Sequence, residues 1–263
     1  MSTVLELWRF PVKSLQGENV DHVDVDERGV VGDRRLAIVD CRTGLALSAK
    51  TVPSLLEAEA WTVSEGVRIK LPNGAEVPAT AEANPVLSAW LDRDVELRRA
   101  AVGESAAYEM TFNPPDDSAD VVEIRTPSGT YLDWGALHLL TTTSLESCAA
   151  RSPATAWDRR RFRPNILIEA SAQPDGLRMP YPEEDWIGQR MQLGGVTATV
   201  DMRTVRCSLP LRAQPPFDGD PALPRDVIVF RTMAVASDNH LGVYASVSAA
   251  GRVRVGDEVR AVP

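Results

Sequence analysis

Cys207 closes the run Met202-Arg203-Thr204-Val205-Arg206-Cys207 and directly follows a cation. A guanidinium beside a thiol favours the thiolate, because the positive charge stabilises the ionised form. A thiolate so placed can act as a nucleophile or as a ligand for a soft metal. Taken alone, an Arg-Cys pair is equally compatible with a small buried apolar residue that happens to follow an arginine. A second concentration of charge, Arg159, Arg160, Arg161 and Arg163, is either a solvated loop or a local anion site suited to a small phosphorylated ligand. The three histidines, His22, His138 and His240, have no metal-ligand spacing to a partner. The sequence contains no phosphate-binding glycine loop and no nucleophile elbow.

Composition narrows the class of protein that carries these residues. A chain of 263 residues can form one large β domain or two modest ones. Its 44% hydrophobic and 25% charged residues describe an ordinary soluble globular protein. A net charge of -9 argues against a general nucleic-acid binder, which needs a basic face. No apolar run approaches the roughly 20 residues of a membrane helix. The opening Met1-Ser2-Thr3-Val4-Leu5-Glu6-Leu7 lacks the basic-then-apolar order of a signal peptide. Cys41, Cys148 and Cys207 are odd in number and far apart, which argues against a disulfide framework and for a reducing cytoplasm.

The elements that must position Cys207 and the arginines read mainly as β, with a few helices. Val4 to Val12 is a strand ending near Pro11. Val20, Val23 and Val25 continue the pattern to a turn at Glu27-Arg28-Gly29. Leu36-Ala37-Ile38-Val39 and Leu45-Ala46-Leu47 flank a hairpin-like connection. Val67, Ile69 and Leu71 alternate and then meet Asn73-Gly74, a strong hairpin signal. Asn84 as N-cap with Pro85 behind it predicts one helix. Thr143 and Glu146 as a capping box predict another, ended by Pro153, with Cys148 on its core face. Further strands are expected around Val121 to Ile124, His138 to Leu140, Ile166 to Ile168 and Val196 to Val200, and on both sides of Gly256-Asp257. Many short strands with regular turns point to barrels or sandwiches. The polar, turn-rich run Asn113-Pro114-Pro115-Asp116-Asp117 divides the chain into residues 1–115 and 116–263, although one continuous structure with a long loop there is also compatible with the sequence.

Four segments, in this order, resemble the MOSC family. Phe10-Pro11-Val12-Lys13-Ser14 and the following Gly32-Asp33-Arg34 are similar to its N-terminal β-barrel domain. Arg161-Phe162-Arg163-Pro164-Asn165-Ile166 and Arg206-Cys207 are similar to the MOSC domain itself, with Leu241-Gly242-Val243-Tyr244 and Val255-Gly256-Asp257 closing the order. The resemblance implies an α+β, mainly β protein of two parts, an N-terminal β-barrel-like domain and a MOSC β-barrel. Relatives include the mitochondrial amidoxime-reducing component and bacterial reductases of N-hydroxylated compounds. It therefore implies a molybdenum cofactor (molybdopterin) with Cys207 as its metal ligand and catalytic residue. It further implies a cofactor site made of Lys13, Ser14, Arg34, Lys50, Thr143, Ser144, Arg163, Asn165 and Arg206. These residue types suit such a ligand, since cations grip phosphate oxygens, an amide matches a pterin edge, and a helix start offers N–H groups to an anion.

The sequence also departs from its relatives. Thr204 stands where some carry a second cysteine, and no iron–sulfur cysteine cluster or desulfurase domain is present. An enzyme that reduces N–O bonds in a small-molecule substrate would then take electrons from a separate electron-transfer protein. The alternatives are a cofactor or sulfur carrier without turnover, and a diverged tailoring protein using the same pocket. Glu183-Glu184-Asp185 reads as a solvated turn or as a gate to a site opening.

Overall fold

Strand Ser2–Arg9 points Val4 and Leu7 into a core, and both of its edges find partners far along the chain. On one side it pairs antiparallel with Ile166–Glu169; on the other it pairs with Glu258–Val262 and, further along, with Glu18–Val20. These contacts close a seven-stranded barrel in the order Ile166–Glu169, Leu137–Thr141, His240–Ala249, Val196–Val205, Arg190–Leu193, Glu258–Val262, Ser2–Arg9 and back to Ile166–Glu169. Closure pairs these seven strands in a ring, and Glu18–Val20 adds to the stretch of Ser2–Arg9 that Glu258–Val262 leaves unpaired. The computed structural model describes residues 1–110, 121–153, 155–170, 179–207, 209–215 and 239–263. The expected break at 113–117 lies outside them.

One barrel pairing is parallel, Leu137–Thr141 with Ile166–Glu169. A parallel pair needs a crossover, and helices Thr142–Arg151 and Arg159–Phe162 supply it. The barrel interior is filled by residues that alternate along each strand, among them Leu139, Ile168, Leu193, Val200 and Val243. A second core gathers Val12, Leu15, Leu36, Ile38, Leu55, Leu56, Ile69 and Leu87. It is built by the strand pair Leu36–Asp40 with Val95–Arg99, the three-stranded sheet Glu59–Val63, Gly66–Lys70 and Glu76–Pro78, and helix Asn84–Leu91. Leu209 and the half-buried Cys207, carried by the segment that leaves barrel strand Val196–Val205, pack against this second core. Cys207 thus lies where the two cores meet.

The mainly β class, the barrel, and the hairpin at Asn73-Gly74 follow the sequence expectation. Leu36–Asp40 pairs with Val95–Arg99, and the hairpin-like return expected at 45–47 is present beside it, with the Asp40 N–H on the Leu45 carbonyl and the Leu47 N–H on the Ile38 carbonyl. Three local readings are corrected. Asn84 is the first helical residue and not the cap: a short turn, Ala81–Ala83, precedes it, and the Asn84 carboxamide accepts the Leu97 N–H. The second helix is capped by Thr141, not Thr143, because the strand's last residue keeps extended backbone and turns its hydroxyl to the Ser144 N–H at 3.2 Å. Glu183 is wholly buried, not a solvated turn, and accepts bonds from Thr141 and Ser144. Burial raises its proton affinity, and those two hydroxyls partly offset this. Cys148 sits in a buried cluster with Leu140, Trp157 and Phe162, as its helical face predicts.

Gly242 lies inside barrel strand His240–Ala249 with φ +77. A Cβ there would stand 2.5 Å from His138 Nε2 and 2.6 Å from the Leu139 carbonyl oxygen. Gly242→Ala is therefore expected to cost roughly 2–4 kcal/mol and several degrees of Tm. A thermal melt within about 2 °C of the wild type would contradict this account of the barrel seam.

Candidate functional site

Phe10 and Tyr108 each hold two cations over one ring. Arg34 and Arg163 lie over Phe10, their guanidinium carbons 4.8 and 4.0 Å from its centroid. Lys13 and Lys50 lie over Tyr108, their ammonium nitrogens 3.8 and 4.9 Å from its centroid. Cation–π attraction accommodates each charge singly, while the like charges oppose one another. The four cations and Tyr108, with Ser14, Ser48, Arg161, Asn165, Arg206 and Cys207, line a cavity of about 400 Å³. Lys13, Arg34, Lys50, Arg161, Arg163 and Arg206 face a single carboxylate among the described lining residues, Asp133. A chain of net charge -9 has thus gathered positive charge at one enclosed place, where the low dielectric strengthens its pull on an anion.

The backbone aims these side chains. Ser14, Arg34, Arg163 and Asn239 all have left-handed φ, at 68, 47, 55 and 57°, and all line the cavity. Such conformations cost energy in non-glycine residues and persist where the surroundings enforce them. Arg163 caps helix Arg159–Phe162 in this conformation, which turns the chain toward strand Ile166–Glu169. Asp33, 1% exposed, holds Arg34 at 2.6 Å and also accepts the Phe10 N–H. Arg34 in turn donates to the Arg163 carbonyl.

Hydrogen bonding separates residues with free valence from residues already committed. Arg163 Nη1 donates to the Leu15 carbonyl at 2.7 Å, while Nη2, buried, has no partner among the described residues. An unsatisfied buried guanidinium nitrogen is costly unless a ligand atom completes it. Arg206 donates to the Thr204 and Phe162 carbonyls and has no carboxylate partner among the described residues. Burial disfavours the charged forms of Arg163 and Arg206, Arg34 adds to this at Arg163, and a negative Cys207 would offset it at both. The Ser14 hydroxyl accepts the Ala49 N–H and donates to no acceptor among the described residues. Asn165, expected to face a pterin edge, spends its amide on the protein: Oδ1 accepts the His138 N–H at 3.1 Å and Nδ2 donates to the Trp8 carbonyl at 3.4 Å. Arg161, fully buried, bonds the Ala156 and Pro210 carbonyls and so anchors the segment after Cys207.

The structure brings together Lys13, Ser14, Arg34, Lys50, Arg163, Asn165, Arg206 and Cys207. Thr143 and Ser144 do not line the cavity: Ser144 is buried against Glu183, and the helix start is closed by the Thr141 hydroxyl. Two lining residues carry no sequence signal. Asp133 and Tyr108 are an unremarked turn aspartate and an ordinary aromatic until tertiary structure places them here, beside Tyr244 of the closing motif. Asp133 accepts from Lys13 at 2.5 Å and from Lys50 at 2.8 Å. Among the described residues, no three His, Cys, Asp or Glu side chains gather as a metal site. A metal at Cys207 would have to bring most of its ligands with it.

Burial pushes the Lys13 ammonium down to about 8, with Lys50 adding to this and Asp133 opposing it. Below that pH Lys13 is charged in the fold and costs stability. As pH rises from about 8 toward 10.5, the folded protein sheds a proton that the unfolded chain still holds, and the cost is relieved. Anion binding has the opposite sign, because the cavity loses a positive charge. Sulfate, whose own charge is constant in this range, is expected to bind roughly tenfold more weakly at pH 9.5 than at pH 7. Lys13→Met should flatten that profile, and an unchanged slope in this variant would assign the titration elsewhere.

Residues 1–104 match the MOSC N-terminal beta barrel domain and residues 129–260 match the MOSC domain. No curated protein matches the chain. Among solved structures, it is similar to the YUAD protein from Bacillus subtilis, at 12% identity, 98% of this chain, 94% of that chain and a TM-score of 0.49. It is also similar to a hypothetical protein, at 10% identity, 100% of this chain, 68% of that chain and a TM-score of 0.43. A third is YiiM from Geobacillus stearothermophilus, at 14% identity, 60% of this chain, 72% of that chain and a TM-score of 0.34. With the MOSC domain spanning half of the chain and the N-terminal barrel domain preceding it, the protein belongs to the MOSC family, which is associated with binding of the molybdenum cofactor.

Proposed function

We propose that the cavity holds a pterin-based molybdenum cofactor and that the protein reduces N–O bonds in N-hydroxylated small molecules. One observation carries this reading: a buried guanidinium nitrogen of Arg163 without a partner among the described residues, in a cavity lined by six cations and a single thiol. A phosphate group satisfies such a nitrogen and the surrounding charge together. Arg163, Arg34 and Lys13 would hold the phosphate oxygens, and the Ser14 hydroxyl would add a bond. Cys207 would be the one protein ligand to the metal. When bound, the molybdenum centre supplies the two-electron couple that takes oxygen from an N–O group.

The chain itself binds, orients and excludes water. Phe162, Tyr108, Tyr244 and Leu209 wall the inner cavity. Trp134 and Val205, 66% and 54% exposed, form with Met110, Ile124 and Met202 an apolar margin that suits an apolar substrate body. Burial holds His138 well below the usual imidazole range, with Arg206 acting in the same sense. His138 is therefore neutral, and protons for the departing oxygen would come through water. Electrons would come from a separate protein, because Cys41, Cys148 and Cys207 are single and dispersed and form no cluster motif. No helix among the described residues is long and apolar enough to cross a membrane, and a cytoplasmic setting belongs to this reading.

The test is expression in a molybdenum-cofactor-competent host, followed by metal analysis and assay with a reductant and an N-hydroxylated amidine. The wild type should carry molybdenum and turn over. Arg163→Met should lose metal content, and Cys207→Ala should lose at least about 100-fold in activity. Wild-type protein without molybdenum, or full activity in Cys207→Ala, would sink the reading. A loaded site without turnover would leave a cofactor carrier.

A further inference from the structure

Lys13 and Lys50 are 4% and 2% exposed, and their ammonium groups share one face-on neighbour, Tyr108. Two like charges buried together need an anion, since each leaves water at a cost of several kcal/mol. Asp133 supplies it, with Oδ1 on Lys13 and Oδ2 on Lys50. Both lysines hold the carboxylate well below its ordinary range, overcoming the opposite effect of burial. A carboxylate that bridges two ammonium groups through both oxygens has the geometry of a bound ligand anion, but here it belongs to the chain.

Asp133 is also held differently from the protein's structural carboxylate at this site. Asp33 is 1% exposed and ties Arg34 to the Phe10 backbone. Asp133 keeps 39% of its side chain accessible, and its side-chain hydrogen bonds among the described residues are those to the two lysines. It lies in the irregular segment between strands Val122–Arg125 and Leu137–Thr141, immediately before the exposed Trp134. Little besides the two ammonium groups keeps its side chain in place.

We propose that Asp133 is the internal occupant of the lysine half of the anion subsite. The anionic head of a ligand reaches Lys13 and Lys50 by displacing this carboxylate, and the segment carrying Trp134 shifts with it. Asp133 is then a specificity residue. A singly charged carboxylate competes poorly with it, while the dianion of a phosphate or phosphate monoester displaces it. The inference rests on reading the cavity as an anion site, and it requires no metal.

The probes are inorganic phosphate and acetate, measured by calorimetry at pH 7.5 and fixed ionic strength on wild type and Asp133→Asn. The variant should bind phosphate at least about tenfold more tightly, and should gain acetate binding, because the competitor is gone. Phosphate affinity equal to or below the wild type overturns the inference and makes Asp133 a fixed support for the lysines. Phosphate binding to neither protein overturns both the inference and the anion-site reading. A second measurement needs only proteins with Asp133 in place. The difference in emission between wild type and Trp134→Phe isolates Trp134, and saturating phosphate should change it. Bound phosphate with unchanged Trp134 emission overturns the displacement.

Discussion

Two buried ammonium groups and one carboxylate hold this molecule's site together. Lys13 and Lys50 come from the N-terminal segment, and Asp133 from the loop that leads into the barrel strand Leu137–Thr141. The carboxylate balances the two buried ammonium groups, and the lysines in turn hold its side chain against them. The same segment is tied again by the Lys13 ammonium, which donates to the Tyr131 carbonyl. Arg163 and Arg212 make further crossings, to the Leu15 and Lys50 carbonyls. The site is therefore also the seam between the two cores. Binding chemistry and tertiary contacts therefore draw on some of the same charges.

The four left-handed residues around the cavity follow the same logic. Glycine would adopt these conformations at little cost but would supply no side chain. A serine, two arginines and an asparagine take them instead, each because a functional or bridging group must leave the backbone in that direction. Asp92, the remaining described residue of this kind, only ends a helix.

Much of this is legible in the sequence, and the limits have physical causes. Strand periodicity and turn residues are local signals, so the β character and the Asn73-Gly74 hairpin can be read directly. Lys13, Arg34, Arg163 and Cys207 can be read because charged and thiol side chains stand out within otherwise apolar motifs. Asp133 cannot: between Leu132 and Trp134 it looks like any turn aspartate, and its meaning is created by lysines more than 80 residues away. Thr143 mimics a cap in the sequence, but a strand that runs straight into a helix caps it with its own last residue. Glu183 mimics a solvated turn because acidic runs usually are solvated, whereas two hydroxyls make this one tolerable inside. Asn165 has the right identity at the right place, but its carboxamide is largely consumed in fastening strand to strand.

The barrel is sealed by strand Ser2–Arg9. It stands between Ile166–Glu169 and Glu258–Val262, so a segment made early in synthesis joins partners made more than 150 and more than 240 residues later. Until then it has only Glu18–Val20 to pair with, and its Val4 and Leu7 lack their core. Such long-range pairing makes folding slow and exposes a sticky edge meanwhile. It also means that the cavity, whose described lining runs from Lys13 to Tyr244, acquires its full wall only once strand His240–Ala249 has been made. A ligand that needs the whole wall can be captured only after that point.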